Sequence, residues 1–77
     1  MMEEQIVDEQ KLHDILEIWH RSGRGLINLP RITKLSAGIQ ISVVSIDNTI
    51  IYVYEKQFKA YRDVLLWYGG MIDKITN

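Results

Sequence analysis

The sequence of 77 residues contains no cysteine. This absence excludes a disulfide scaffold, a cysteine-ligated zinc site and a thiol nucleophile. No apolar run approaches the roughly 20 residues that a membrane-spanning helix needs. The acidic beginning, Met1-Met2-Glu3-Glu4, does not resemble the basic start of a secretory signal. We therefore expect a cytoplasmic protein that has no role at a membrane.

A surplus of charge of either sign is also lacking, since the net charge is −1. The near-neutral total hides a division, because residues 1–17 hold six acids and one base whereas residues 18–46 hold four bases and no acid. The apolar fraction of 47% and the charged fraction of 25% are ordinary for a globular protein. The length predicts a single domain over residues 1–77.

The first predicted element is a helix over residues 8–21, preceded by flexible residues 1–7. Asp8 is placed to cap the first turn, because its carboxylate can accept a hydrogen bond from a free backbone N–H group there. Apolar residues then recur at helical spacing. This stripe consists of Leu12, Ile15, Leu16 and Trp19. Gly23 or Gly25 is expected to end the helix, since glycine readily adopts the left-handed conformation that follows a helix.

Residues 26–37 allow two interpretations, because their apolar residues recur every three positions. Pro30 is suited to open a short helix over 30–36 that Gly38 would close. Pro30 is equally suited to the start of an edge strand around 31–35. We favour the strand or an irregular connection slightly over the helix.

Residues 39–54 predict a β-hairpin, because β-branched and aromatic residues flank a turn at Asp47-Asn48. This turn places Ile41, Val43, Ile50, Tyr52 and Tyr54 on one face and Val44, Ile46, Ile51 and Val53 on the other. Both faces are apolar, whereas a small antiparallel sheet usually exposes one polar face to water.

The last predicted element is a helix from residue 55 to 68, or onward to 75. Two neighbouring apolar stripes extend over about half of its circumference, which is more than a surface helix usually buries. Gly69-Gly70 either end the helix at Tyr68 or lie within it on the polar side. The predicted fold class is thus α+β: a small α-(β)-β-β-α domain in which an antiparallel hairpin or three-stranded sheet packs against two helices.

The apolar surface exceeds what so few elements can cover. One arrangement places a helix on each face of the sheet. The other places both helices on one face and leaves the second face for a partner, and we favour this one because uncovered apolar patches usually mark interfaces. The partner is either another protein or a second copy in a homodimer.

Candidate chemistry is sparse, because the only two histidines lie on the first helix. His13, Glu17 and His20 share one helix face at the spacing of a metal site. A solvated polar face explains the same spacing more simply. We found no nucleophile–base–acid arrangement. We therefore predict that the protein is not an enzyme and holds no metal or cofactor.

The segment Arg21-Ser22-Gly23-Arg24-Gly25 offers glycines and arginines to an anion, but we favour the simpler interpretation, a glycine-rich helix end with solvated arginines. Nucleic-acid binding is the alternative function. Its phosphate contacts would be Arg21, Arg24, Arg31 and Lys34. The predicted hairpin, however, contains no lysine or arginine.

The main functional prediction is a non-catalytic protein-interaction module that acts as a small inhibitor or adaptor by stoichiometric binding. This profile is typical of phage and mobile-element proteins and suits a homodimer. Aromatic residues dominate binding hot spots. The predicted protein interface consists of Tyr52, Tyr54, Tyr61, Trp67 and Tyr68.

Overall fold

The computed structural model describes residues 3–22, 30–45 and 47–77. They form two helices and one four-stranded sheet, which confirms the predicted α+β class. In chain order the elements are β1 (Glu3–Val7), α1 (Glu9–Arg21), β2 (Arg31–Leu35), β3 (Gly38–Val44), β4 (Ile50–Tyr54) and α2 (Tyr61–Thr76). The strands lie side by side in the order β1-β4-β3-β2.

Strands β3 and β4 form the predicted hairpin. Val43 pairs with Tyr52 in the antiparallel ladder, which is the register that a turn at Asp47-Asn48 imposes. Asn48 adopts the left-handed conformation with φ of 60°, as a short polar residue can in a tight turn. The hairpin prediction and its division into two faces are therefore confirmed for the described residues.

Strand β2 forms one edge of the sheet and pairs antiparallel with β3. It begins directly after the buried Pro30, which lacks a backbone N–H group and therefore suits the start of an edge strand. The short helix over 30–36 is wrong, and the strand alternative is confirmed. Gly38 opens β3 where a Cβ atom would lie 2.8 Å from the carbonyl oxygen of Phe58.

Strand β1 corrects the expectation that residues 1–7 are flexible, because Glu3–Val7 pair parallel with β4. The backbone N–H of Glu3 donates to the carbonyl of Thr49 over 2.8 Å, and that of Glu55 donates to the carbonyl of Val7 over 2.9 Å. The pairing satisfies the edge of β4 that β3 leaves free. The sheet is consequently mixed and four-stranded rather than a hairpin or a three-stranded antiparallel sheet.

Helix α1 agrees closely with its prediction. Asp8 caps it, since its Oδ1 accepts a hydrogen bond of 2.8 Å from the backbone N–H of Lys11. The helix ends at Arg21, and the Ser22 hydroxyl donates to the Trp19 carbonyl over 2.8 Å. Gly23 and Gly25, the predicted helix-ending glycines, lie outside the described residues.

Helix α2 begins six residues later than predicted. Residues 55–60 are not helical, because Phe58 forms a β-bridge to Ile39 with backbone hydrogen bonds of 2.7 and 2.8 Å. The helix continues to Thr76. Gly69 and Gly70 are exposed within it, which confirms the alternative that placed them inside the helix.

Both helices pack on the same face of the sheet. The core cluster joins buried residues of both helices to those that point to one side of the strands. Its members are Val7, Leu12, Ile15, Leu16, Ile41, Val43, Tyr54, Val64, Tyr68 and Met71. Side chains alternate between the faces of a strand, so the opposite face carries neither α1 nor α2.

Candidate protein interface on the helix-free sheet face

We call the sheet surface opposite α1 and α2 the helix-free face. The strand register places its residues in adjacent rows across the sheet. Two adjacent rows of this face consist of Glu4, Ile6, Arg31, Ser42, Val44, Ile51 and Val53. Ile6 is paired with Val53, and Val44 with Ile51, so these four apolar side chains are neighbours on one surface.

This apolar patch is only partly withdrawn from water. Ile6 is 76% exposed, whereas Val44 and Ile51 are half-buried. Val53, in the middle of the face, is buried to 5% exposure yet lies outside the core cluster. The apolar surface that remains for a partner is therefore contributed by Ile6 and, in part, by Val44 and Ile51.

Opposite charges flank the patch. Glu4 lies on β1 at one edge of the sheet, and Arg31 lies on β2 at the other edge. Both residues are exposed, and neither is joined to an ion-pair partner among residues 3–22, 30–45 and 47–77. The helix-free face therefore carries an acidic residue on one edge strand and a basic residue on the other, with the apolar patch extending from Ile6 on β1 across β4 to β3.

The five aromatic residues of the predicted interface do not form one surface. Tyr54 and Tyr68 are 2% and 4% exposed and belong to the core. Tyr52 and Trp67 are half-buried and pack against the same core. Tyr61 alone among the five is exposed. Burial thus removes Tyr54 and Tyr68 from any partner surface of this fold.

These aromatic residues instead close one end of the core. The rings of Tyr54 and Trp67 are stacked, with centroids 5.0 Å apart and planes inclined by 18°. Phe58 lies 5.5 Å from Trp67 and 6.0 Å from Tyr54. Burial raises the pKa of the Tyr54 phenol, with smaller contributions from nearby carboxylates, and burial also raises the pKa of Tyr68.

The predicted nucleic-acid contacts are likewise dispersed. Arg21 is paired with Glu17 over 2.6 Å, and Arg24 lies outside the described residues. Arg31 and Lys34 are both exposed on β2, but their odd and even positions direct them to opposite faces of the sheet. Two of the four predicted cations therefore face different directions, and a third is neutralised by its neighbour.

The helix face that carries His13, Glu17 and His20, which the sequence predicts to be a solvated polar face, brings a different set of side chains together. His13, Asp14 and Glu17 offer ligand atoms within 4.8 Å of one another, and His20 is not part of this group. The Nδ1 atom of His13 lies 3.5 Å from Asp14 Oδ1 and 3.7 Å from Glu17 Oε2. Glu17 also forms an ion pair with Arg21, so these side chains are explained as polar contacts along the surface of the helix.

A groove beside the Ser36-Ala37 turn was not anticipated from the sequence. Residues 34–39 line it together with Lys59. Its lining contains no histidine or carboxylate among the described residues, and its two lysines are exposed. The groove therefore lacks an acid–base pair for catalysis.

Some residues of the helix-free face were predictable and others were not. The alternation of residues in the hairpin predicts that Val44, Ile51 and Val53 share a second apolar face. Ile6 is not predictable in this way, because residues 1–7 carry no clear strand pattern. The alternation of Glu4 and Ile6 was the available signal, but two residues are too few to define a strand.

Comparison of the chain with protein-family models, with curated proteins and with solved structures finds no match in any of the three. In the described parts of the chain, neither helix has the length and apolarity needed to cross a membrane.

Proposed function

We propose that this chain is a non-catalytic protein-interaction domain that acts in the cytoplasm, as an inhibitor or adaptor, by stoichiometric binding. Its contact surface is the helix-free face. One observation carries the proposal: Ile6, Ile51, Val53 and Val44 are neighbours on a face that neither helix covers. Burial of the exposed Ile6 and of the exposed parts of Ile51 and Val44 by a partner is favourable, because it removes apolar surface from water.

The charges at the edges define the chemistry of the partner. Its surface is apolar at the centre, presents a basic group opposite Glu4 and presents an acidic group opposite Arg31. Charged pairs at the rim of an interface mainly select and orient the partner, whereas the apolar centre supplies most of the affinity.

The helices also expose apolar residues, which provide a matched control. Leu66 of α2 is 74% exposed, close to the 76% of Ile6, but it lies on the helical layer. Ile6→Thr removes apolar surface from the helix-free face and keeps a β-branched residue in the strand. Leu66→Gln removes a comparable exposed side chain and keeps a good helix former.

The experiment compares capture of proteins from a lysate of the source organism by immobilised wild-type, Ile6→Thr and Leu66→Gln chains, after circular dichroism has verified each fold. We expect specific partners to be retained by Leu66→Gln and lost by Ile6→Thr. If Ile6→Thr retains the partners and Leu66→Gln loses them, the interface lies on the helices, and the proposal is wrong.

Nucleic-acid binding is tested in parallel with a labelled oligonucleotide at about 150 mM salt, where non-specific contacts are weakened. We expect no saturable binding. Saturable binding that Arg31→Ala and Lys34→Ala abolish would replace the proposed function with the nucleic-acid alternative.

A further inference from the structure

We infer that the partner of the helix-free face is a second copy of this chain, stacked face to face about a twofold axis parallel to the strands. The inference rests on the proposed function, because it names the occupant of the same surface. It follows from the order of side chains across this face, where Glu4 lies on β1, the apolar Ile51, Val53 and Val44 lie on β4 and β3, and Arg31 lies on β2.

A twofold axis along the strands reverses the strand order from one sheet to the other. It places β1 of one copy over β2 of the other and β4 over β3. Ile51 of one copy then faces Val44 of the other, because both lie in the same row of the sheet. In the neighbouring row Ile6 of one copy lies over Arg31 of the other, and Val53 lies over Ser42. Symmetry produces each of these contacts twice, as in any isologous dimer.

The same axis brings opposite charges together. Arg31 is level with Ile6, two residues along the strand from Glu4. With stacked sheets about 10 Å apart and about 3.3 Å per residue, the Cα atoms of Glu4 and the other copy's Arg31 are roughly 12 Å apart. An extended arginine and an extended glutamate span this distance, so the dimer contains two such pairs.

A twofold axis perpendicular to the strands gives the opposite result. It places β1 over β1 and β2 over β2. Glu4 then approaches Glu4 of the other copy, and Arg31 approaches Arg31 of the other copy. Juxtaposed like charges select against such an arrangement. The charge pattern therefore favours the strand-parallel axis over its alternative.

The area of the helix-free face determines how strongly the two copies are expected to associate. Four strands spaced about 4.8 Å apart, each about five residues long, span roughly 19 by 17 Å. Two such faces bury less than the roughly 1,200 Å² at which standard stable interfaces begin. We therefore expect a dimer that dissociates on dilution.

The test is sedimentation equilibrium over about 10 µM to 1 mM chain, a range that brackets weak association. The samples are the wild type, Glu4→Arg, Arg31→Glu, the double variant Glu4→Arg/Arg31→Glu, Ile6→Thr and the control Leu66→Gln. Each single charge reversal is expected to raise the dimer dissociation constant about tenfold, because two pairs per dimer become repulsive. The double variant restores association, as does an equimolar mixture of the two single variants.

Three outcomes would overturn the inference in distinguishable ways. If the wild type stays monomeric at every concentration, the partner is not a second copy, and the proposed function then requires a different protein as the partner. If Ile6→Thr weakens the dimer but neither charge reversal does, the face is an interface but the twofold axis is not parallel to the strands. If only Leu66→Gln weakens the dimer, the interface is not the helix-free face, and the proposed function is wrong as well.

Discussion

The indole Nε1 of Trp67 donates a hydrogen bond of 3.0 Å to Oε1 of Glu9. The two residues are 58 positions apart in the chain, and they join the first turn of α1 to the middle of α2. Trp67 also stacks on Tyr54 of β4. A single side chain therefore connects both helices to the sheet at the end of the domain where the aromatic residues gather.

This connection predicts that Glu9→Ala lowers the free energy of unfolding by about 1 kcal/mol, since a half-buried indole N–H group loses its acceptor. Glu9→Gln keeps a side-chain carbonyl oxygen and is expected to lower the free energy of unfolding by a smaller amount. Lys11→Ala, in the same helical turn, is the control for helix propensity. The measurement is urea denaturation followed by tryptophan fluorescence in a Trp19→Phe background. An equal decrease in the free energy of unfolding for Glu9→Ala and Lys11→Ala would contradict the role of the indole contact.

The elements that the sequence predicted well are those with local determinants. An N-cap at Asp8 and a regular apolar stripe define α1, and Asp47-Asn48 fix the hairpin register. Strand β1 has no such local signal, because its parallel pairing with β4 depends on an edge that forms 43 or more residues later in the chain. The start of α2 was placed too early for a related reason, since Phe58 is held out of the helix by its bridge to Ile39.

The candidate site was only partly predictable for a physical reason. Tyrosine and tryptophan are enriched both in cores and in interfaces, so composition alone did not assign Tyr54 and Tyr68 to the core. The apolar second face of the hairpin was visible in the sequence. Whether a helix covers that face depends on contacts between α1 and α2, which local spacing does not encode.

The glycines provide a pair of predictions of opposite sign. Gly38→Ala is expected to destabilise the fold by about 1–3 kcal/mol, because the new methyl group overlaps the backbone carbonyl of Phe58. Gly69→Ala is expected to stabilise α2 by about 0.5–1 kcal/mol, since alanine is the better helix former. No atom lies within 4 Å of the position that its Cβ would occupy. Chemical denaturation of the two variants measures both effects, and a neutral Gly38→Ala would contradict the close approach of β3 to residue 58.

The buried tyrosines predict a late phase in alkaline titration. Burial raises the pKa of Tyr54 and of Tyr68 above the ordinary value of 10.0, because the interior disfavours a phenolate. In the unfolded chain these phenols lose their protons at lower pH, so stability falls as the pH rises above 10. Phenolate absorbance should therefore show a component above pH 10.0 that decreases in Tyr54→Phe and in Tyr68→Phe. A late component of unchanged amplitude in both variants would contradict their burial.

The hairpin turn predicts that stability is lost at low pH, in contrast to the loss at high pH that the tyrosines predict. Oδ1 of Asp47 accepts hydrogen bonds from the hydroxyls of Thr49 and Ser45, each at 2.7 Å, and from the Thr49 backbone N–H at 3.2 Å. The Thr49 hydroxyl first, then the Ser45 hydroxyl, lowers the pKa of Asp47 below its ordinary value of 3.8. The contribution of this carboxylate to stability is thus complete above pH 3.8 and is lost as the pH falls through the lower pKa of the folded state.

Thr49→Val tests this turn directly, because it removes the hydroxyl donor and keeps the shape of the side chain. We expect the titration midpoint of the Asp47 carboxyl carbon, followed by NMR, to rise toward 3.8. Thr76→Val is the matched control, since the hydroxyl of Thr76 donates to the carbonyl of Ile72 at the end of α2. It should leave the Asp47 midpoint unchanged. A midpoint that does not move in Thr49→Val would show that the hydroxyl contact does not stabilise the charged carboxylate, and that the turn depends on the conformation of Asn48 instead.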